Sequence, residues 1–231
     1  MSDWVFRQRA IGAVVGSAVG DALGAPFEFG PPDQYSSRFP EPDIGGTGEM
    51  IGGGGFGWEP GEFTDDTQMA TIQAESILAN DGIDGADLFE RFQVWASAAN
   101  DVGIQTRAVL TSGLDWDIAA DDHVRRNPRS GAGNGSLMRS TPTAVHYARS
   151  TADETVAAAI ATSEVTHGDP AAGWGTALFH LMVASFKLRD ANFFGAVHMG
   201  SMAFTAAVTL NLTLDFMLAL QVAAVLAADA E

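Results

Sequence analysis

The sequence predicts an all-α fold, and three observations carry that prediction. Apolar residues recur at helical spacing in almost every segment outside one glycine- and proline-rich stretch. No convincing run of alternating β-branched residues marks a strand. Hydrophobic residues make up 46% of 231 positions, which suits a packed core rather than a disordered chain. No linker composition and no internal repeat divides the chain, so residues 1–231 read as a single domain.

The first helical pattern runs through "AIGAVVGSAVGDALGAPF" (Ala10 to Phe27). Gly12, Gly16, Gly20 and Gly24 recur every four residues and so line one face, where another backbone can approach. Arg7 and Arg9 ahead of this run give it the outline of a signal peptide. Its apolar region is rich in glycine, however, and Asp21 inside it would cost about 3 kcal/mol at the centre of a span. The expectation is therefore an uncleaved N-terminus that belongs to the fold. From Gly30 to Glu62 the periodicity breaks: Pro31, Pro32 and Pro40 open the stretch and glycines crowd its second half. This reads as one long surface loop, and loops of that length are usually functional or disordered.

Helical periodicity resumes at Asp65 and continues through "TQMATIQAESILAN". Further helices are expected near Ala86–Ala99, Ile104–Ser112, Asp115–Val124, Leu137–His146, Ala152–Thr166, Ala171–Leu188 and Leu214–Ala228. Phe193 to Leu214 contains no Asp, Glu, Lys or Arg and has the length of a bilayer span. His198, Asn211 and many small residues fit a buried helix equally well, and no membrane association is expected.

Charge and cysteine content narrow the chemistry. The net charge is −17, with 29 acids set against a single lysine, Lys187. Such a surface repels phosphate backbones, which argues against a nucleic-acid partner. The absence of cysteine excludes disulfides, thiolate zinc sites and a cysteine nucleophile. Any metal must bind through oxygen or imidazole, and the acids favour a hard ion such as magnesium or manganese.

Five short stretches could carry chemistry, and each has a structural alternative. In "PGEFTDDTQMA", Thr64, Asp65 and Asp66 offer three hard oxygen ligands at one helix start. Thr64 or Asp65 could equally cap the helix, with Gln68 completing a capping-box variant. In "RSGAGNGSLMRSTP", the turn around Asn134, Gly135 and Ser136 could cradle a phosphate with its amides, or Ser136 could be an ordinary N-cap. It is not a P-loop, since no Gly-Lys-Ser/Thr follows. In "TSEVTHGDP", His167 sits between two helices, where it could answer a helix dipole or meet a ligand. Asp101 in "NDVGIQTRAVL" could cap the helix near Ile104, and Glu28 in "GAPFEF" could be simply solvated.

The order of these stretches along the chain resembles the ADP-ribosylglycohydrolase family, of the dinitrogenase reductase-activating glycohydrolase type. "GSAVGDALGAPFEF", "GGGGFGWEPGEFTDDTQMA", "DVGIQTRAVL", "GAGNGSLMRSTP" and "EVTHGDP" carry the resemblance, which is strongest over residues 11–179. It implies an all-α fold, two magnesium or manganese ions, and hydrolysis of the bond between ADP-ribose and a protein side chain or small acceptor; a cytoplasmic location is expected separately, because "GSAVGDALGAPFEF" is needed within the fold. It further implies that Thr64, Asp65 and Asp66 are metal ligands and that Glu28 lies over them. Asp101 would meet the leaving group, Asn134, Gly135 and Ser136 would hold phosphates and ribose, and His167 would lie near the ribose–adenine end. Apart from the resemblance, the negative net charge leaves affinity for an anionic ligand to local groups: the loop amides, the metal and Arg139. The family's second metal motif, Gly-x-Asp-x-Asp-Thr, is absent. Asp215 and Asp229 form no paired-acid motif. The expectation is a C-terminally incomplete domain holding at most one weakly bound ion. The alternative is a relative without catalysis that binds ADP-ribose or serves a structural role.

Overall fold

A computed structural model describes residues 2–41, 48–128 and 131–188. The expected helix Leu214–Ala228, the apolar stretch Phe193–Leu214, Asp215 and Asp229 lie outside the described residues.

Among the described residues the chain is all-α, with no strand beyond an isolated bridge between Gly53 and Trp58. The helices are α1 (Asp3–Gly24), followed by a 3-10 turn (Ala25–Phe27), α2 (Gln34–Arg38), α3 (Asp65–Asn80), α4 (Gly85–Ala96) and α5 (Ile104–Leu110). They continue as α6 (Trp116–Arg126), α7 (Thr141–His146), α8 (Ala152–Glu164) and α9 (Pro170–Leu188). Met69, Leu88, Phe89, Phe92, Val109, Leu110, Ala119, Ala120 and Val165 form the core, so α3 to α6 and the end of α8 pack around one apolar centre. A capping box holds the start of α8: the Thr151 hydroxyl accepts from the Glu154 N–H, and the Glu154 carboxylate accepts from the Thr151 N–H.

Several expectations need correction. The stretch from Gly30 to Glu62 is not wholly loop, because α2 forms inside it, where the rings of Phe27, Tyr35 and Phe39 pack edge-on and tilted against one another. The helix expected from Leu137 begins only at Thr141, and residues 137–139 form a turn. Gln68 makes no capping box; its side-chain oxygen accepts from Trp95 Nε1 at 2.8 Å. The glycine face of α1 is not a packing ridge among the described residues, since a Cβ on Gly16, Gly20 or Gly24 would meet nothing within 4 Å.

With its 3-10 turn, α1 is long and apolar enough to cross a membrane by length and composition. Ile11, Val14, Val15 and Val19 on it are exposed. Its polar side chains nevertheless tie it to the turn after α7 and to α3. Arg149 bonds Asp3 at 2.8 Å and covers the Phe6 ring, and Asp21 reaches across to α3.

Candidate functional site

The N-terminus of α3 is the centre of the site. The first helical turn leaves amides without intrahelical acceptors, so oxygen atoms gather there. Thr64 is the N-cap and its hydroxyl accepts from the Asp66 N–H at 3.2 Å. The rest of the capping comes from a different helix. Asp21 of α1 accepts from the backbone N–H of Thr64 and of Thr67, both at 3.1 Å to the same oxygen, and from the Thr67 hydroxyl at 2.6 Å. Asp65 and Asp66 are thereby released from capping and project as carboxylates from the positive end of the helix dipole.

Glu28 and Asp101 face the same place. Burial first, then the charges of Asp101, Asp65 and Asp21, raises the proton affinity of Glu28. Burial and Asp21 raise that of Asp101. Asp65 is buried at 7% exposure and titrates well above the usual carboxylate range, through burial, then Asp101, Asp66 and Asp21, against a backbone N–H of Gly103 that holds it down. Asp66 is raised likewise by burial, Asp21 and Glu28, against the Thr64 hydroxyl. Among the described residues no arginine, lysine or histidine pairs with Asp21, Glu28, Asp65, Asp66 or Asp101. Like charges held this close bind either protons or a cation.

The donor chemistry of Thr64, Asp65 and Asp66 suits a hard divalent ion. Among the described residues, no three carboxylates or imidazoles are arranged to hold one ion by themselves. The fit is therefore to a partial site completed by hydroxyls and water rather than to a closed cage.

The first turn of α5 links this centre to the second constellation. Asp101 does not cap α5; the N-cap is Gly103, whose N–H goes to Asp65. Two residues into α5, the Gln105 side chain donates to Gly131 O at 2.8 Å and accepts from the Gly133 N–H at 3.2 Å. A Cβ on Gly135 would stand 3.3 Å from Thr106 Oγ1 and 2.7 Å from His167 Cε1. The loop carrying Asn134, Gly135 and Ser136 thus lies between α5 and His167, and contiguous contacts connect His167 to Asp65 around one region.

Within that loop, the Asn134 carbonyl accepts from the amides of Leu137 and Met138, and the Gly135 carbonyl accepts from Arg139. Among the described residues nothing accepts from the N–H groups of Asn134, Gly135 and Ser136. Ser136 is not an N-cap. Its buried hydroxyl meets Ser163 Oγ at 2.9 Å and Thr176 Oγ1 at 3.2 Å, so its amide is what it can offer a ligand. His167 is 2% exposed and its Nδ1 pairs with the Thr166 hydroxyl at 2.8 Å. Its ring is packed against Gly133 and Gly135. Burial, then Arg139 and His123, pushes its pKa down to about 3, so the imidazole is neutral.

Arg139 is fully buried, so it cannot touch a ligand directly and its charge acts only from behind the loop. Asp21, Gln105 and Thr106 join the site; they lie within the stretches "GSAVGDALGAPFEF" and "DVGIQTRAVL", but the sequence alone assigns them no role there. Asp21 has one sign there, a lone acid interrupting an apolar helix pattern within the same stretch as Glu28.

A sequence profile described as ADP-ribosylglycohydrolase matches residues 4–229. The chain is 33% identical over 165 residues to the ADP-ribosyl-[dinitrogen reductase] glycohydrolase of Rhodospirillum rubrum, covering 71% of this chain and 53% of that protein. It is 33% identical over 170 residues to the ADP-ribosylarginine hydrolase Tri1 of Serratia proteamaculans, covering 70% and 43%. The chain thus spans about half the length of the curated relatives it matches. A solved structure, an ADP-ribosylglycohydrolase-related protein complex, matches with TM-score 0.61 at 31% identity, over 80% of this chain and 58% of that one. The profile match over nearly all of the chain, together with these relatives, establishes that it belongs to the ADP-ribosylglycohydrolase family.

Proposed function

We propose that this chain hydrolyses the glycosidic bond between ADP-ribose and a modified side chain, with arginine as the acceptor. The observation that carries the reading is the gathering of Glu28, Asp65, Asp66 and Asp101 around the start of α3, joined through α5 to the loop of open amides at Asn134–Ser136. The family of the chain and the name of the Serratia relative support the reaction and the acceptor.

Each group has a task that its surroundings favour. The amides of Asn134, Gly135 and Ser136 suit the diphosphate, because backbone N–H groups in a turn bind anions without a cationic side chain. Cleavage builds positive charge on the ribose ring, which the anionic cluster stabilises. Glu28 and Asp101 are the carboxylates for proton transfer. Neighbouring acids keep a proton in the cluster at higher pH than an isolated carboxylate would, so one group can protonate the leaving nitrogen while another takes a proton from water. Thr64, Asp65 and Asp66 are the ligands for magnesium or manganese. When bound, the ion supplies Lewis-acid polarisation and offsets the clustered charge. A partial oxygen set implies weak binding, with a dissociation constant near millimolar, roughly 4 kcal/mol. A cytoplasmic setting without nucleic acid or membrane belongs to the same proposal, supported by the net charge of −17 and by the ties of Asp21 to α3 and of Asp3 to the turn after α7.

The test is release of ADP-ribose from an arginine-modified protein, with and without magnesium. Slow, magnesium-dependent release that Asp66→Ala abolishes is the expected result. Binding of ADP-ribose with no release under any metal would instead make the chain a non-catalytic relative.

A further inference from the structure

Arg139 is 0% exposed and has no carboxylate partner among the described residues. A buried charge without a counter-ion is costly, so its position needs a reason. Its guanidinium is instead shared among three elements. Nε donates to Gln73 Oε1 of α3 at 3.1 Å, Nη2 to the Thr162 carbonyl of α8 at 2.9 Å, and Nη1 to the Gly135 carbonyl. The Phe92 ring lies 4.9 Å from Cζ and offers its π-face to the charge. Gln73 is fixed in turn, donating to Thr143 Oγ1 at 2.6 Å. Burial brings the pKa down to about 9, which leaves the group protonated at neutral pH.

We propose that Arg139 is a positioning residue for an anionic ligand. From inside the core it fixes the Gly135 and Ser136 peptides so that their N–H groups point away from the held carbonyls, and it sets a positive charge behind them. The peptide group is planar and trans, so a carbonyl and the following N–H point in opposite directions. With the Gly135 carbonyl held by Arg139, the Ser136 N–H must point away from it. With the Asn134 carbonyl held by Leu137 and Met138, the Gly135 N–H is turned in the same way. Amides left without an acceptor in a buried turn are costly unless a ligand or water meets them. A fork of three donors fixes that geometry, whereas a lysine cannot reach three acceptors in one plane. This deepens the reading of the loop as a diphosphate cradle and rests on it.

The experiment compares Arg139→Lys and Arg139→Gln with the unchanged chain. Calorimetry is run with ADP-ribose, which carries the diphosphate, and with adenosine, which does not. The expected result is a loss of ADP-ribose affinity of about tenfold in R139K and more in R139Q, with adenosine binding within about twofold of the unchanged chain. Hydrogen exchange is read at Leu137 and Met138, whose amides hold the Asn134 carbonyl, and should quicken about tenfold in R139K while Ala119 and Ala120 stay unchanged. Equal losses for both ligands, or unchanged affinity and exchange in R139K, would overturn the proposal. Should R139Q fail to fold, R139K alone decides. If the unchanged chain binds neither ligand, the diphosphate reading falls, while the exchange measurement still decides whether Arg139 orders the loop.

Discussion

Asp65 and Asp66 are raised by burial and by neighbouring acids, and that gives their charge a cost which a substitution can remove. Their native proton affinity exceeds that of the unfolded chain. The folded state therefore binds more protons above the ordinary carboxylate range, and stability declines as pH rises through that window. Without metal, Asp66→Asn should stabilise the fold at pH 8 by about 1–2 kcal/mol, since each tenfold change in proton affinity is worth about 1.4 kcal/mol. Urea denaturation in a chelator checks this, and a lower midpoint for D66N at pH 8 would count against the repulsion. His167 works in the opposite direction. Its native pKa near 3 lies below the unfolded value near 6.5, so its contribution is complete above 6.5 and is lost as pH falls toward 3. His180, held to about 4 by burial, adds the same slope. Relative to the unchanged chain, whose slope also carries the opposite contributions of Asp65 and Asp66, His167→Gln should therefore gain about 2 kcal/mol as pH falls from 7 to 5. An unchanged slope in the denaturation midpoints would mean that the ring is not buried neutral.

Secondary-structure elements set which of these residues meet. The glycine-rich loop before α3 docks on the turn after α1: Gly54 has φ +74°, and a Cβ there would stand 2.8 Å from Pro26 Cα. Gly54→Ala combines left-handed strain with a backbone clash, which should cost about 1–3 kcal/mol. Its signature is faster hydrogen exchange at Gly53 and Trp58, whose amides pair across the isolated bridge, while α4 stays protected. If Trp58 exchanges at its original rate, the loop docks without needing a glycine there. Most helices are legible from the sequence because α3 to α6 bury a periodic apolar stripe. The helix α2 is not, because prolines precede it and its support is a local aromatic cluster rather than a stripe. Glu28, Thr64, Asp65, Asp66 and Asp101 can be chosen from motif order, and α3 and α5 bring them together. Asp21 cannot, because its job is a contact over more than forty positions, which one-dimensional periodicity does not show. The position of Arg139 is hidden for a related reason: a sequence shows a charge but not its burial.

At the scale of the whole molecule, charge opposes the ligand that the loop is proposed to hold. The chain carries −17, and every acid near α3 adds repulsion toward a diphosphate. The local attraction comes from neutral amides and a buried guanidinium, both of which are shielded from mobile ions. The repulsion comes from many exposed carboxylates, which salt screens effectively, the Debye length falling from about 30 Å at 0.01 M to about 10 Å at 0.1 M. Screening should therefore remove more repulsion than attraction. ADP-ribose affinity is expected to rise about two- to fivefold between roughly 0.02 and 0.3 M potassium chloride, the reverse of the usual behaviour of anion sites built from surface lysines. Magnesium should raise it further at matched ionic strength, because an ion at Thr64, Asp65 and Asp66 offsets charge directly rather than by screening. Calorimetric titrations at several salt concentrations measure both effects. Affinity that falls steadily with added salt would show that an exposed cation contacts the ligand, and the amide-and-buried-arginine account of the loop would then be wrong.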